Sequence, residues 1–487
     1  MAVEEKVDYH NGKRELTPLA AVEEEKRLVR KIDRAILPIT CLLYLLAYLD
    51  RSNLGNARLQ GLPEEILGGD PKGLLYEWVF SAFYFSYANP IPGTSYRALK
   101  AFPSILLDSH YGDWMGNLFY FTNLMLTVLQ ASAFNLGGII VCRIGLGVFE
   151  AGFGPAIPVY FSLFYTKNEL GLRLGYWFGF AAIAGAFGGL IAFGVQSVHF
   201  GPNSESDWKL LFLIEGIPAI LLGVVTWFAL PNRPEATHLF NERERELALE
   251  RGARGTTADI GLVINRRHII AALTDWRILA CGTIYFGVNC ALASISAFLP
   301  TIIKTFGYTN ALAQLLTVPP YVVGAIVLCM TAYATDRLQS RGLAIASSCA
   351  AGAIGYLLVV LVPSNMHVRY FAVFLITSGT YTAIGVIIAW CSETKKAAGI
   401  PMFMAIGQCG SVLGANIYPA SDGPRYLRGF TITCALMAWA TVCAVILYVS
   451  YKRDNKRRDE LYGKPDPDAT VDTSELADKA PMFRYIP

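Results

Sequence analysis

Apolar runs of bilayer-crossing length recur along this chain, and they limit what it can fold into. About 20 apolar residues are needed for a helix to cross hydrocarbon. Twelve such runs fall near 36–59, 74–92, 117–134, 137–164, 174–197, 209–230, 277–303, 313–335, 343–363, 369–390, 399–418 and 429–450. Inside a bilayer every backbone N–H and C=O must find a partner within the protein, and a helix provides this along its own length. Charged residues make up only 16% of the chain, against about 25% in soluble domains. The expectation is an all-α polytopic membrane protein of twelve transmembrane helices. Six runs precede the polar stretch 231–276 and six follow it. This predicts a tail (1–35), a six-helix bundle (36–230), a linker (231–276), a second six-helix bundle (277–450) and a second tail (451–487).

Orientation follows from Lys and Arg, which concentrate in cytoplasmic loops. If both termini are cytoplasmic, the tails and even-numbered loops take most of the 41 basic residues. The outer loops then hold Arg58, Lys72, Lys209, Lys304, Arg369, Arg425 and Arg428, and Arg51 and Arg143 lie within spans. The linker segment Asn241–Arg251 alternates Glu and Arg and reads as a short, solvated surface helix. The cluster Lys452, Arg453, Lys456, Arg457 and Arg458 suits anionic lipid headgroups at the membrane edge. Beyond Gly463 the composition predicts disorder.

Charges within spans are costly and mark pathways or partners. The fourth run carries Arg143 and Glu150, seven residues apart. Seven residues turn a helix by about 700°, so the two share a face, but they stand about 10 Å apart along it. They cannot pair directly, and each needs a partner from elsewhere. A carboxylate at bilayer depth can exchange a proton near neutral pH, and a mobile arginine beside it could gate that exchange. A structural charge pair between helices is the other reading. Pro155 and Pro158 predict a kink just beyond Glu150.

The first run ends Leu49-Asp50-Arg51-Ser52-Asn53-Leu54-Gly55-Asn56-Ala57. If the helix continues to about residue 59, Asp50, Asn53 and Asn56 recur on one drifting face, and Arg51 offers a planar fork for a carboxylate. If it stops at Asp50, the rest is loop. Glu215 lies near the outer side of its run and reads as half-solvated. Tyr285 and Asn289 share a helix face, and Tyr381 lies in the tenth run with Trp390. All of these suit a cavity lining or plain packing. Gly185-x-x-x-Gly189 and Gly410-x-x-x-Gly414 fall in the fifth and eleventh runs, equivalent positions of two halves, where small residues permit close helix approach. Asp336, Arg337 and Arg341 form the turn between runs eight and nine. They read as a lock on two helix ends or as a topology signal.

Several function classes are disfavoured. The six histidines fall in loops or tails, which argues against a histidine relay or a His-bound metal in the membrane. The ten cysteines form no Cys-x-x-Cys or Cys/His cluster, so no metal is expected. There is no phosphate-binding Gly-x-x-x-x-Gly-Lys loop, no His-Glu-x-x-His and no Gly-x-Ser-x-Gly, so neither ATP, another cofactor nor enzyme chemistry is expected. The net charge of +3 gives no sign of a nucleic-acid partner.

At Leu49–Ala57, Arg143–Pro155, Gly185–Leu190, Glu215-Gly216, Leu230–Pro234, Asp336-Arg337, Arg341-Gly342, Ser392–Gly399, Ile417–Pro419 and Gly423–Tyr426, the chain resembles the major facilitator superfamily. It is most similar to the fungal allantoate/nicotinate permease branch of the anion:cation symporter family. The resemblance implies two six-helix bundles rocking around a central site, driven by a proton gradient. It assigns the substrate carboxylate to Arg51 and proton coupling to Arg143 and Glu150.

Two stretches depart from that pattern. Residues 88–114 lack helical periodicity and disrupt the second and third spans, reading as a mis-joined gene segment or a divergent loop. The connector after Trp390 is short.

The resulting expectation is a monomeric, plasma-membrane, proton-coupled importer of a small organic anion such as nicotinate, allantoate or a vitamin-like acid. Arg51, Asn53, Tyr285, Asn289 and Tyr381 would bind substrate, and Asp50, Arg143 and Glu150 would couple protons. An exporter of a secondary metabolite, and a sensor or inactive product that moves nothing, are the alternatives.

Overall fold

The computed structural model describes residues 8–10, 13–15, 18–71, 73–88, 125–197, 207–231, 233–235, 237–255, 275–391, 396–464 and 483–487. Apart from a hairpin of Asp8–His10 and Lys13–Glu15, the described elements are helical. They are α1 (Pro18–Ala57), α2 (Leu62–Ile66), α3 (Leu74–Ala88), α4 (Leu136–Phe164), α5 (Lys167–Ser197), α6 (Asp207–Ala229) and α7 (Glu242–Gly255). The second half holds α8 (Trp276–Lys304), α9 (Asn310–Leu315), α10 (Val318–Leu338), α11 (Arg341–Leu361), α12 (Met366–Cys391), α13 (Lys396–Asn416) and α14 (Leu427–Tyr462). Residues 125–131 are also helical. Among the described residues, eight helices are long and apolar enough to cross a membrane.

The helix pairs repeat between halves. α1 packs on α5 and α6 as α8 packs on α13 and α14, and α3 packs on α4 as α10 packs on α12. The halves meet along α5–α10, its counterpart α13–α3, and α1–α8. The described helices thus repeat the same packing pairs before and after the linker.

Helix ends and lipid boundaries differ. α1 begins at Pro18, well before its apolar run, because Glu23–Arg27 are good helix formers and Glu23 pairs with Arg27 at 3.8 Å. α1 also continues to Ala57, so Asp50, Arg51, Asn53 and Asn56 are all helical. α4 is helical through Pro155 and Pro158. Of the departing stretch 88–114, residues 89–114 lie outside the described residues, as does the connector 392–395.

Two expectations about polar segments are corrected. The linker helix α7 is docked, not merely solvated: Arg251 is buried and pairs with Glu25 and Glu169, each at 2.7 Å. Lys31 reaches Glu244 at 2.6 Å, and Glu244 accepts from the Asn241 N–H at 2.9 Å, half of a capping box. Burial alone would raise the Glu244 carboxyl; the hydrogen bonds from Lys31 and Asn241, with the Lys31 charge, bring it below its ordinary value. Within the tail expected to be disordered, Phe483–Pro487 is packed. Tyr485 stacks on Tyr451 at 4.6 Å and accepts from Arg277 at 2.7 Å. Asn455 bonds both main-chain groups of Tyr485, and the Arg341 N–H and Trp390 indole N–H donate to Pro487 and Ile486. Aromatic side chains and backbone groups do this work, and a composition-based reading of the tail does not register them.

Candidate functional site

The middle of the molecule is built on α1. Arg51 leaves α1 toward α4 and donates to Oε1 of Glu150 in a buried ion pair. Its guanidinium lies over the rings of Phe83 and Tyr87, each at 5.1 Å, and Tyr48, at 5.6 Å. Aromatic faces attract a guanidinium and keep water from it. Tyr48, three residues before Arg51 on the same helix, points its hydroxyl at the other half, 3.2 Å from Ser296 and 3.1 Å from the hydroxyl of Tyr381. Tyr321 packs edge-on against Tyr381. The pair Arg51–Glu150 therefore sits against the seam between halves.

Arg143 finds a different partner. Its Nη1 donates to the main-chain oxygen of Asp50 at 3.3 Å, and its guanidinium lies 5.8 Å from the Phe212 ring on α6. The Asp50 carboxylate accepts from Thr127 at 2.6 Å. Arg143 and Glu150, on one face of α4, thus each recruit α1, through Asp50 and Arg51. Both contacts, the Arg51–Glu150 ion pair and the Arg143 bond to the Asp50 main chain, cross between helices, as the rise of about 10 Å along α4 requires.

The other candidates are distributed. Tyr381 joins the centre through Tyr48. Asn53 is fully buried, and neither amide atom has a hydrogen-bond partner among the described residues, so it offers a donor and an acceptor. Asn289 is buried, and its Nδ2 has no partner among the described residues. Tyr285 packs against α13, where it meets Phe403 edge-on and would strike any side chain at Gly407. Glu215, expected half-solvated, is 2% exposed.

The glycine pairs serve different contacts. A Cβ at Gly185 would lie 2.7 Å from the Tyr321 ring, and one at Gly189 would lie 2.9 Å from the Gln314 carbonyl, so this face joins α5 to the opposite half. Gly410 and Gly414 press on the α8 backbone at Phe286 and Cys290, within their own half. Arg337 lies over Tyr333 at 4.9 Å, and Arg341 meets Pro487. The side chain of Asp336 lies outside the described residues.

Direct bonds between halves gather at the Ala57 end of α1. Tyr76 donates to Ala297 at 3.3 Å, Asn310 to Leu59 at 3.3 Å, Gln314 to Asn56 at 3.4 Å, and Asn416 to Ser81 at 2.8 Å. That end is closed. Tyr48, Phe83, Tyr87 and Ser296 escaped the sequence reading. Tyr48 was the findable one, one helical turn from Arg51.

The fold and sequence have known counterparts. The proton:xylose symporter XylE, solved with 6-bromo-6-deoxy-D-glucose, matches with a TM-score of 0.64 at 13% identity, covering 86% of this chain and 96% of that one. The major facilitator-type transporter hxnP of Emericella nidulans is 33% identical over 480 residues, 95% of this chain and 94% of the relative. The high-affinity nicotinic acid transporter of Saccharomyces cerevisiae is 31% identical over 481 residues, 95% and 85% respectively. The Major Facilitator Superfamily profile matches residues 40–419. The chain therefore belongs to the Major Facilitator Superfamily, as an integral multi-pass membrane transporter and not an enzyme.

Proposed function

We propose that this transporter imports a small organic anion together with protons. One observation carries the reading: a cation held by aromatic rings at the seam between halves, with a proteinaceous carboxylate, Glu150, as its counter-ion. A substrate carboxylate and Glu150 compete for the same fork. When Glu150 takes a proton it loses its charge and its hold on Arg51. The incoming carboxylate then pairs with Arg51, and proton and anion are bound together. Substrate release lets Glu150 return to Arg51 and shed its proton. Asn53, Asn289, Tyr381 and Tyr285 supply the neutral contacts that would fix substrate shape, and Asp50 and Arg143 support the coupling pair.

Nicotinate is the first substrate to try, given the printed activity of the yeast relative. The protein would work as a monomer in the plasma membrane with both termini cytoplasmic, so the closed end described above is the outer one. Labelled nicotinate and other small carboxylates are offered to cells or vesicles with and without an inward proton gradient. Wild-type protein should accumulate one of them only with the gradient. Arg51→Ala should abolish accumulation, and Glu150→Gln should leave residual flux that no longer responds to pH. Uptake unchanged in Arg51→Ala would sink the proposal.

A further inference from the structure

A second buried charge layer lies behind Arg51–Glu150, entirely within the first half. Asp50 stands seven residues before the end of α1, Arg143 seven residues after the start of α4, and Glu215 eight residues after the start of α6. At 1.5 Å per residue all three lie about 10–12 Å inside the same end of the bundle. α6 locks Glu215 into this layer from both sides. Phe212, one turn before it, lies under Arg143 at 5.8 Å. A Cβ at Gly216, the next residue, would lie 3.5 Å from the methyl of Thr127, whose hydroxyl holds Asp50.

Glu215 is 2% exposed, and neither of its carboxyl oxygens has a hydrogen-bond partner among the described residues. Nor does Oδ1 of Asp50, itself 1% exposed. Among the described residues, the ionisable groups around Glu215 are few. α1 presents Asp50, whose carboxylate is held by Thr127, the residue against the Gly216 position. Residues 125–131 carry no ionisable side chain, and α4 presents Arg143 beyond Phe212. The ionisable residues of α5, namely Lys167, Glu169, Arg173 and Tyr176, lie toward its other end. On α6 itself, Asp207 and Lys209 are at the start, and Lys209 is paired with Glu65.

Among the described residues of this half, Asp50, Glu77, Glu150 and Glu215 are buried carboxyls; Glu77 has Arg58 as its neighbouring cation, which leaves Asp50, Glu150 and Glu215 against Arg51 and Arg143. Arg51 is committed to Glu150, so Arg143, bonded to the Asp50 main chain, is the cation that remains in this layer beside the Asp50 and Glu215 carboxyls. A buried charge without a counter-charge is expensive, and the group neutralises instead. Two buried carboxyls with one cation in their layer therefore keep one proton between them.

We propose that Asp50 and Glu215 form a proton-holding pair, with Glu215 as a coupling residue additional to Glu150. As the transporter cycles, the pair releases a proton when Glu150 takes one up, and Arg51 keeps its charge throughout. The cycling step rests on the proposed proton-coupled function; the held proton does not.

Infrared pH-difference spectra of the purified full-length protein in lipid nanodiscs test the pair without any substrate. The wild type should show a protonated-carboxyl band near neutral pH. Either Glu215→Gln or Asp50→Asn should remove it, because each substitution leaves Arg143 one carboxylate and no surplus acid. A band absent from the wild type, or undiminished in both variants, overturns the proposal. In vesicles, Glu215→Gln should retain substrate exchange at equal concentrations and lose accumulation driven by a proton gradient. Wild-type accumulation that Glu215→Gln leaves unchanged in size and pH profile overturns the cycling role. If the wild type shows no gradient-driven uptake, the functional reading fails while the infrared result still decides the pair.

Discussion

Arg51 does at residue scale what no other side chain on α1 could. Its fork is planar, always charged and weakly hydrated, so it can stack on Phe83 and Tyr87 while pairing with Glu150. Lysine keeps the charge and loses the fork and the stacking. Arg51→Lys should therefore transport with apparent affinity for the anion weakened by about tenfold or more, roughly 1.4 kcal/mol. Initial uptake rate against concentration measures this, and a wild-type KM would count against bidentate recognition. The sequence shows Arg51, Asp50, Arg143 and Glu150 as charges in apolar runs, and that alone selects them. It does not say that Glu150 belongs to Arg51 and Arg143 to the Asp50 main chain. Those partners are 99 and 93 residues apart, and nothing in local periodicity links them.

At the scale of elements, the segment Phe483–Pro487 ties together helix ends that are distant in sequence. It touches α8 through Arg277, α11 through Arg341, α12 through Trp390, and α14 through Tyr451 and Asn455. Tyr485→Ala removes a stacked ring and its hydrogen bond from Arg277. An aromatic pair contributes about 0.5–1.5 kcal/mol beyond its buried area, and a hydrogen bond to a charged group about 1.5–3. Thermal unfolding of the purified variant should occur measurably below the wild type, and an unchanged transition would show that the segment adds no stability. The glycine pairs carry the same lesson about legibility. Small-residue spacing on α5 and α13 is visible in the sequence, and close approach follows from it. Which helix approaches does not: α5 uses Gly185 and Gly189 toward the opposite half, and α13 uses Gly410 and Gly414 toward α8.

For the whole molecule, the inter-half bonds at the Ala57 end make opening there a concerted event. Asn416 and Ser81 join α13 to α3 at 2.8 Å. If the halves separate at this end during transport, a disulfide between Ser81→Cys and Asn416→Cys should stop uptake, and reduction should restore it. Full uptake by the crosslinked protein would mean that this end need not open.

The sequence by itself determined the solvent, the helices and the expensive residues. Apolar runs must be helical in a bilayer, and a charge inside one is too costly to be incidental. Tertiary structure alone decided the partners, because helix periodicity is a local property and pairing is set by how separate helices pack against one another. It moved Glu150 to Arg51, buried Glu215, and seated Phe483–Pro487 on the ends of four helices.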